Sequence, residues 1–271
     1  MTDFRPYLEH NRALWNEWAT INARSEFYDL PSFRKGGIRL HEFELEEVGP
    51  VQDRSLLHLQ CHIGTDTLSW ARLGARVTGV DFSEQALDEA RSLAEDSGIE
   101  ARFVLSNVYD APEALEGETF DIVYTSRGVL GWLPDIPRWA DVVARCVRPG
   151  GVFYIHEMHP FLYVFDDSDG ATEASVKFPY WSTSEPIEFP VQGSYADRYA
   201  ETTLKTSFDW PHSLGEVITS LINAGLTIDL VNEWPFLDWE CPFLQQRGEL
   251  WFYAGEGELP LSFSLRASKP E

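Results

Sequence analysis

Residues 56–68 read LLHLQCHIGTDTL and residues 77–83 read VTGVDFS, and these two stretches decide the fold. The first passes from an apolar strand pattern through a turn into a helix pattern. This arrangement brings backbone N–H groups and a helix N-terminus against an anionic group. Asp81 ends the second strand pattern 17 positions after Gly64, where a carboxylate can accept hydrogen bonds from both hydroxyls of a ribose. The two stretches together predict an adenosine site.

Strand and helix patterns alternate outward from these stretches. The predicted elements are strands at 55–59, 76–80, 101–105, 120–125, 152–156, 226–231 and 261–267, helices at 65–73, 83–97, 136–147 and 214–224, and a turn at 149–151. Strands separated by helices form parallel sheets that are covered on both faces. We therefore predict an α/β, Rossmann-like fold with a mostly parallel seven-stranded sheet and helices on both faces.

We predict a single domain over residues 1–271, because one α/β domain with an insertion reaches this length. Its parts are an N-terminal helical lid (1–50), a cofactor-binding core (51–157), an aromatic-rich inserted cap (158–212) and a C-terminal completion of the sheet (213–271). Within the lid, an amphipathic helix is predicted at 3–24, a loop at 27–37 and a second helix at 38–48. The cap lacks periodicity, which is typical of a lid, a small antiparallel extension or a binding wall.

The composition limits the classes of partner. The 44 acidic and 21 basic residues give a formal charge of −23, which repels phosphate polymers and anionic membranes. We predict no nucleic acid and no membrane partner, and a small-molecule acceptor that is neutral or cationic. Solubility or salt tolerance is the other explanation of this charge. Three scattered cysteines and the lack of a signal peptide or an apolar span predict a cytoplasmic location.

Five motifs follow the order known from class I S-adenosylmethionine-dependent methyltransferases. They are LLHLQCHIG at 56–64, VTGVDFS at 77–83, FVLSNVYD at 103–110, FDIVYTSRGVLGWLPD at 120–135 and RCVRPGGVFYI at 145–155. Over about residues 50–160 the chain resembles this family, and its QCHIG motif resembles a bacterial small-molecule branch. The resemblance implies S-adenosylmethionine as cofactor, S-adenosylhomocysteine as product, and methyl transfer to an N, O or S atom of a small molecule.

The resemblance also assigns parts of the cofactor to positions in this chain. The methionine end falls over residues 59–64, the ribose and adenine at Asp81 and Phe82, and the amine at the carbonyl of Ser126. The full set of predicted cofactor-binding residues is Tyr28, Leu59, Gln60, His62, Gly64, Asp66, Thr67, Asp81, Phe82, Asn107, Val108 and Ser126.

The first motif departs from the family pattern. His58, Gln60 and His62 stand where the pattern has an acid and two glycines. A side chain at a glycine position restricts the approach of the backbone to a ligand. Two interpretations of His62 stay open: it contacts the methionine carboxylate, or it is an ordinary turn residue.

Methyl transfer from a sulfonium is an in-line displacement, and its catalysis comes largely from alignment and from excluding water. An amine or phenol acceptor also needs a group that takes a proton. The predicted candidates are Glu157, His159 and His212; ordinary loop or helix-bracing contacts are the alternative. We predict no metal site, because HEMH, with His156 and His159, is not the HExxH motif.

Aromatic residues of the cap and lid either line the acceptor pocket or fill a core. The candidates for the pocket are Trp132, Tyr180, Trp181, Tyr195 and Tyr199. The candidates for closing the lid over the cofactor are Trp15, Trp18, Tyr28 and Phe33.

Two other functions stay open from the sequence. An NAD(P)-dependent oxidoreductase fits a βαβ unit that ends in Asp81, although the GxGxxG motif is incomplete. A non-catalytic S-adenosylmethionine-binding protein fits the altered QCHIG loop. Methylation of protein or nucleic acid is disfavoured, because no basic groove is visible. No oligomeric state is predicted.

Overall fold

The computed structural model describes residues 3–168, 171 and 173–271. The strands of these residues are β1 (Ser55–Leu59), β2 (Arg76–Asp81), β3 (Arg102–Leu105), β4 (Phe120–Ser126), β5 (Val147–Met158), β6 (Ile187–Pro190), β7 (Thr206–Asp209), β8 (Thr227–Trp234), β9 (Phe236–Leu237), β10 (Leu244–Arg247), β11 (Leu250–Tyr253) and β12 (Ser262–Ser268). The α-helices are α1 (Arg5–Arg24), α2 (Leu30–Arg34), α3 (Glu42–Val48), α4 (Thr65–Arg72), α5 (Glu84–Ser97), α6 (Ala111–Ala114), α7 (Ile136–Cys146) and α8 (Leu214–Asn223). Within the described chain, no helix has the length and apolar character needed to cross a membrane.

The central sheet has the strand order β3-β2-β1-β4-β5-β12-β8. The pairs from β3 to β5 are parallel, and β12 is antiparallel to both β5 and β8. The prediction of a mostly parallel seven-stranded sheet is confirmed. The chain order reverses between β1 and β4, and open α/β sheets bind ligands at the carboxyl ends of strands beside such a reversal.

Buried side chains on both sides of the strands explain why helices cover both faces. On one face, Leu57 and Phe153 pack with Trp139 of α7. On the other face, Leu56 packs in a second core with Trp70 of α4. Because successive strand residues point to opposite faces, the neighbours Leu56 and Leu57 serve the two cores. The helix layers leave the carboxyl edge of the sheet as the place for a ligand.

The lid contains a helix that the sequence analysis missed. The predicted loop at 27–37 includes α2, because the Asp29 side chain caps its first turn and a proline favours the start of a helix. The helix predicted at 38–48 is shorter than expected. It begins only at the capping box of His41 and Glu44.

β5 is one strand where a turn and a shorter strand were predicted. Residues 149–151 belong to it, and its register with β4 shifts between Phe120 and Ile122. Gly150 has a φ of 69°, and its N–H donates a 2.9 Å hydrogen bond to the carbonyl of Lys269. A glycine with positive φ inside a strand is typical of a bulge, so the chain bends here without reversing.

The cap is attached to α1 of the lid. Its strands β6 and β7 form an antiparallel pair. Asn11 of α1 bonds to the carbonyl and the N–H of Phe208 at 2.7 and 3.1 Å, and Trp18 Nε1 donates to the carbonyl of Gly193 at 2.8 Å. These bonds hold the cap and α1 together over the carboxyl edge of the sheet.

A three-stranded antiparallel sheet, ordered β10-β11-β9, lies between β8 and β12 in the chain. The sequence pattern does not predict this sheet, because strands of two to four residues have too few positions to show alternation. Leu237 and Phe243 from this part pack with Leu162 and Phe165 of the cap. The small sheet therefore supports the cap from the side of β12.

Candidate functional site

A cavity of about 360 Å³ lies at the carboxyl ends of the central strands. Its wall includes residues 60–63 after β1, 81–82 at the end of β2, 106–108 after β3 and 126–129 at the end of β4. Side chains of α1 and the cap close it. Small-molecule sites usually measure about 300–1,000 Å³. The cavity therefore has the place and the size of a ligand site.

The loop after β1, residues 60–64, has an unusual backbone and is called the cofactor loop below. Gln60, His62 and Gly64 have φ values of 60°, 49° and 77°. A left-handed backbone costs a residue with a side chain about 1–2 kcal/mol. Gln60 and His62 thus keep a conformation that glycine adopts freely, while their side chains line the cavity. Gly64 instead allows close packing, because a Cβ there would lie 3.0 Å from Ala90.

Asp81 is buried at the end of β2 and lines the cavity. One carboxylate oxygen accepts the backbone N–H of His62 and the other that of Ser83, both at 2.8 Å. Burial raises the pKa of Asp81 to about 6, although these hydrogen bonds favour the ionised form. A carboxylate has about four acceptor positions, so both oxygens can still accept from a ligand.

Two side-chain atoms of the cofactor loop are buried without a hydrogen-bond partner among the described residues. They are Gln60 Oε1 and His62 Nδ1. The other ends of these side chains are held: Gln60 Nε2 donates to the carbonyl of Val129 at 3.3 Å, and His62 Nε2 lies 3.0 Å from Asn22 Nδ2. An unsatisfied buried polar group costs about 1–3 kcal/mol, so both atoms suit a polar ligand.

A hydrogen-bonded group ties β4 to β1 and α4. The Ser126 hydroxyl donates to Asp66 at 2.8 Å and lies 3.2 Å from His58 Nε2, and His58 Nδ1 lies 2.8 Å from the Thr67 hydroxyl. Burial lowers the pKa of His58 to about 3, so its ring is neutral near pH 7. Ser126 and Asp66 line the cavity, and these bonds fix their positions.

Arg127 lies among three carboxylates, and these four residues are called the charge network. Its guanidinium nitrogens lie 2.8 Å from Asp238, 3.5 Å from Glu44 and 3.7 Å from Asp66. Burial opposes the ionisation of Glu44, but Arg127 and His156 outweigh it and lower its pKa to about 2. At Asp66 burial prevails and raises the pKa. With three carboxylates and one guanidinium, the network makes this wall negative.

His41, Glu44 and His156 form a group that could hold a metal ion, since their ligand atoms lie within 4.8 Å of one another. The Arg127 guanidinium lies 3.5 Å from Glu44 and 3.4 Å from His41 Nε2. A divalent ion would be repelled by this cation, which already pairs with the carboxylate. We therefore assign no metal to the group.

Asp209 lies at the end of the cavity that the cap covers. Its carboxylate accepts a 2.7 Å hydrogen bond from Ser207, and burial raises its pKa to about 7. Met158, Tyr163 and Trp239 line the same cavity. The charge of Asp167 also raises this pKa, so Asp209 is a buried carboxyl near its titration point, as general bases often are.

Some of the predicted aromatic residues line the cavity and others do not. Trp15, Trp18, Tyr28, Trp132 and Tyr195 line it, and the Tyr28 and Tyr195 hydroxyls are hydrogen-bonded to each other.

The other predicted pocket and lid aromatics lie elsewhere. Trp181 and Tyr199 are 72% and 94% exposed. Tyr180 packs in the core of the cap, and Phe33 packs in the core between the lid and α5. Of the two alternatives, the core describes Tyr180 and Phe33, and neither describes the exposed Trp181 and Tyr199, because aromatic composition does not say which way a side chain faces.

The predicted proton acceptors Glu157, His159 and His212 are not among the described residues that line the cavity. The Glu157 carboxylate accepts backbone N–H groups from residues 128–130 and 158, so it braces the loop after β4. His159 Nε2 lies 2.9 Å from Glu233, and His212 Nε2 lies 2.7 Å from the carbonyl of Leu133. Ordinary structural contacts, the alternative to a catalytic role, account for all three residues, and we propose no catalytic role for them.

Most of the predicted cofactor-binding residues meet in the cavity wall. They are Tyr28, Gln60, His62, Asp66, Asp81, Phe82, Asn107, Val108 and Ser126. Leu59, Gly64 and Thr67 are buried behind this wall. Asp209, Arg127 and Asp238 were not predicted, because no local sequence pattern marks them.

Comparisons with known proteins bear on the same segment. Residues 56–151 match the model of the family described as Methyltransferase domain. The match begins in β1 and ends in β5, so the methyltransferase-domain segment contains the cofactor loop and Asp81. The resemblance drawn from the five motifs is confirmed at this level, and the QCHIG branch stays a prediction.

Individual relatives agree with the methyltransferase-domain match. The chain is 32% identical over 136 residues to a ubiquinone biosynthesis O-methyltransferase of Serratia proteamaculans, covering 48% of this chain and 55% of that protein. It thus spans about half the length of this curated relative.

Solved structures show the same fold. An S-adenosylmethionine-dependent methyltransferase from Mesorhizobium loti has a TM-score of 0.60 at 20% identity, over 87% of this chain and 100% of that one. A SAM-dependent methyltransferase from Methanosarcina mazei has a TM-score of 0.55 at 19% identity, over 85% and 98%.

Proposed function

We propose that this protein transfers a methyl group from S-adenosylmethionine to an N, O or S atom of a small molecule and releases S-adenosylhomocysteine. The observation that carries the proposal is the meeting of Asp81 and the left-handed cofactor loop in one cavity, inside the methyltransferase-domain segment. The Asp81 carboxylate suits two ribose hydroxyls. The unpaired Gln60 Oε1 and His62 Nδ1 suit the polar groups of an amino-acid tail.

The strand order divides the cavity into a cofactor end and an acceptor end. Residues at the end of β2 (Asp81 and Phe82) and after β3 (Asn107 and Val108) would hold the nucleoside. The cofactor loop with Asp66 and Ser126 would hold the amino-acid tail. Tyr28 would cover this end from the lid, and Leu59, Gly64 and Thr67 shape the turn from behind. Residues after β4 and β5, with the cap, are left for the acceptor.

The bound cofactor supplies a methyl group on a positively charged sulfur. The chain's own contribution is to align the acceptor with this group and to exclude water. Trp132 packs edge-to-face against Trp15 and Trp18, with ring centroids 5.2 and 5.8 Å apart, and these rings close the cavity from the lid side. No covalent intermediate on the chain is needed.

The charge of the cavity wall favours a neutral or cationic acceptor. The cavity lining includes two partly buried cations, Arg39 and Arg127, and five aspartates: Asp66, Asp81, Asp167, Asp209 and Asp238. A phosphate or carboxylate acceptor would meet this negative field. The same field disfavours the diphosphate of NAD, and the Gln60 and His62 side chains occupy the loop that a diphosphate would approach.

We also propose that the protein acts in the cytoplasm, without a nucleic-acid or membrane partner. The cysteines Cys61, Cys146 and Cys241 are buried and free, which suits a reducing compartment. The net charge of −23 disfavours nucleic acid and anionic membranes.

We further propose that Asp209 takes the proton of an acceptor hydroxyl or amine. Asp209→Asn is expected to lower kcat at least about 100-fold, the usual contribution of a general base, and to leave the affinity for S-adenosylhomocysteine unchanged. Because the carboxylate must be ionised to accept a proton, the wild-type kcat is expected to fall as the pH drops below about 7. The variant should lack this dependence.

The measurement is kcat against pH with the first acceptor found by screening small amines, phenols and thiols. Asp197→Asn is the matched control, because Asp197 is an exposed aspartate of the same cap and is not among the described residues that line the cavity. An unchanged kcat and pH profile in Asp209→Asn would remove Asp209 from the reaction.

The proposed function itself is tested by calorimetric titration of the purified protein with S-adenosylmethionine, S-adenosylhomocysteine and NAD. Saturable binding of the first two, followed by methyl transfer in the acceptor screen, is the expected result. Binding of NAD alone would replace the proposal by an oxidoreductase. Binding of both sulfur nucleosides without transfer to any acceptor would favour a non-catalytic binding protein.

A further inference from the structure

Asn22 of α1 connects the cofactor loop to the cap. Its side chain is fully buried, with Nδ2 3.0 Å from His62 Nε2 and Oδ1 2.8 Å from the hydroxyl of Ser194. His62 belongs to the cofactor loop, Asn22 to the lid and Ser194 to the cap. They form one chain of hydrogen bonds that ends at the cavity wall.

The backbone of the cap fixes the direction of these hydrogen bonds. The N–H groups of Ala196 and Asp197 donate to Ser194 Oγ at 3.2 and 3.1 Å, which uses both of its acceptor positions. The Ser194 hydroxyl must then donate, and it donates to Asn22 Oδ1. The amide NH₂ of Asn22 therefore faces His62. Because an amide nitrogen only donates, His62 Nε2 accepts.

His62 is thereby held in one tautomer. Burial lowers its pKa to about 3, so the ring is neutral near pH 7 and carries a single proton. With Nε2 accepting, that proton lies on Nδ1. His62 lines the cavity, and its Nδ1 atom is buried and has no hydrogen-bond partner among the described residues. An unpaired buried donor is unfavourable unless a ligand atom accepts from it.

We propose that Ser194 and Asn22 are positioning residues that hold His62 as an Nδ1–H donor for the carboxylate of the cofactor's amino-acid tail. Contact of the cap with α1 then completes the cofactor site. A ligand carboxylate at this wall lies near Asp66 and Asp81, so a fixed N–H donor offsets part of the repulsion. The identity of the ligand rests on the proposed function, but the tautomer of His62 does not.

The affinity test compares two ligands that differ in the amino-acid tail. Asn22→Leu is expected to weaken the binding of S-adenosylhomocysteine about tenfold, the effect of one hydrogen bond to a charged group. The affinity for 5′-methylthioadenosine, which has no carboxylate, should be unchanged. Asn11→Leu is the matched control, because Asn11 is a buried amide of the same helix that also binds the cap but does not touch His62. Any weakening there should be equal for both ligands.

The tautomer is measured separately by ¹⁵N NMR of the histidine rings in the ligand-free wild-type protein, with His62 assigned by His62→Gln. A protonated Nδ1 and a bare Nε2 are expected. A protonated Nε2, or equal loss of both ligands in Asn22→Leu, would overturn the inference. If the wild-type protein binds neither ligand, the proposed function and the carboxylate contact fail together. The NMR measurement still decides the tautomer, because it is made on the ligand-free wild-type protein and the His62→Gln variant serves only to assign the His62 signal.

Discussion

Arg127→Met is expected to lower the free energy of unfolding by about 3–5 kcal/mol near neutral pH, the usual effect of removing one partner from a buried ion pair. Arg127 is the cation of the charge network, and its side chain is 15% exposed. Without it, Glu44, Asp66 and Asp238 stay close together, and Glu44 is fully buried. Methionine fills a similar volume, so the loss measures mainly the uncompensated carboxylates.

The loss is expected to shrink as the pH falls. In the wild-type protein the pKa of Glu44 is lowered from 4.5 to about 2, and the pKa of Asp238 is lowered from 3.8. The stability that the two ionised carboxylates contribute is therefore fully present above about pH 4.5 and is lost as the pH falls below it. In the variant, burial still raises the pKa of each of the three carboxyls, while the Arg127 charge that opposed it is gone. The folded variant would then bind protons more tightly than its unfolded chain and recover stability in acid.

Urea unfolding at about pH 7.5 and about pH 5.5 measures both effects. Arg148→Met is the matched control, since Arg148 also pairs with an aspartate, Asp121, but its side chain is 47% exposed. A loss below about 1 kcal/mol is expected there. If the two variants lose the same stability, or the Arg127 loss is independent of pH, the charge network does not stabilise the fold as argued.

The parts of the fold that could be predicted are those with a local signal. The run Leu56–Leu57 is apolar because it is buried on both faces of the sheet, and a turn and a helix follow within a few residues. Asp81 stands at a fixed distance along the chain from that turn. Such features depend on neighbours in the sequence, so composition and spacing were enough.

The parts that could not be predicted depend on contacts between distant segments. Arg127 follows β4, but its closest carboxylate belongs to Asp238 near the small antiparallel sheet. Asp209 becomes a candidate base only because the cap folds over the acceptor end of the cavity. Trp181 and Tyr199 were candidates for the pocket or the core for their aromatic character, whereas the structure exposes both. A pattern along the chain does not tell which distant groups will meet.

Asp81→Asn is expected to weaken the binding of S-adenosylhomocysteine at least about 100-fold, or about 3 kcal/mol, because two ribose hydroxyls lose a charged acceptor. The same variant should not unfold at a lower temperature near neutral pH. Burial raises the pKa of Asp81 from 3.8 to about 6, so the ligand-free fold is favoured by protonation and loses this contribution as the pH rises through 6. A neutral amide avoids that loss, and this gain offsets the cost of the one backbone N–H, of His62 or Ser83, that would face the amide nitrogen without an acceptor.

The affinity of the wild-type protein for S-adenosylhomocysteine is expected to fall below about pH 6, where Asp81 takes up a proton. His62 stays neutral in this range because its pKa is about 3.

Asp121→Asn is the opposite control. Its carboxylate accepts the N–H and hydroxyl of Ser55 at 2.8 and 2.7 Å at the start of β4, away from the cavity. These bonds and Arg148 outweigh burial and lower the pKa of Asp121 to about 2. Asp121→Asn should therefore lower the free energy of unfolding by about 2 kcal/mol above pH 4. It should leave the affinity for S-adenosylhomocysteine unchanged. Calorimetry and thermal unfolding of both variants then distinguish a carboxylate that binds a ligand from one that stabilises the fold. Equal affinities of the two variants for S-adenosylhomocysteine would mean that Asp81 does not hold the ribose.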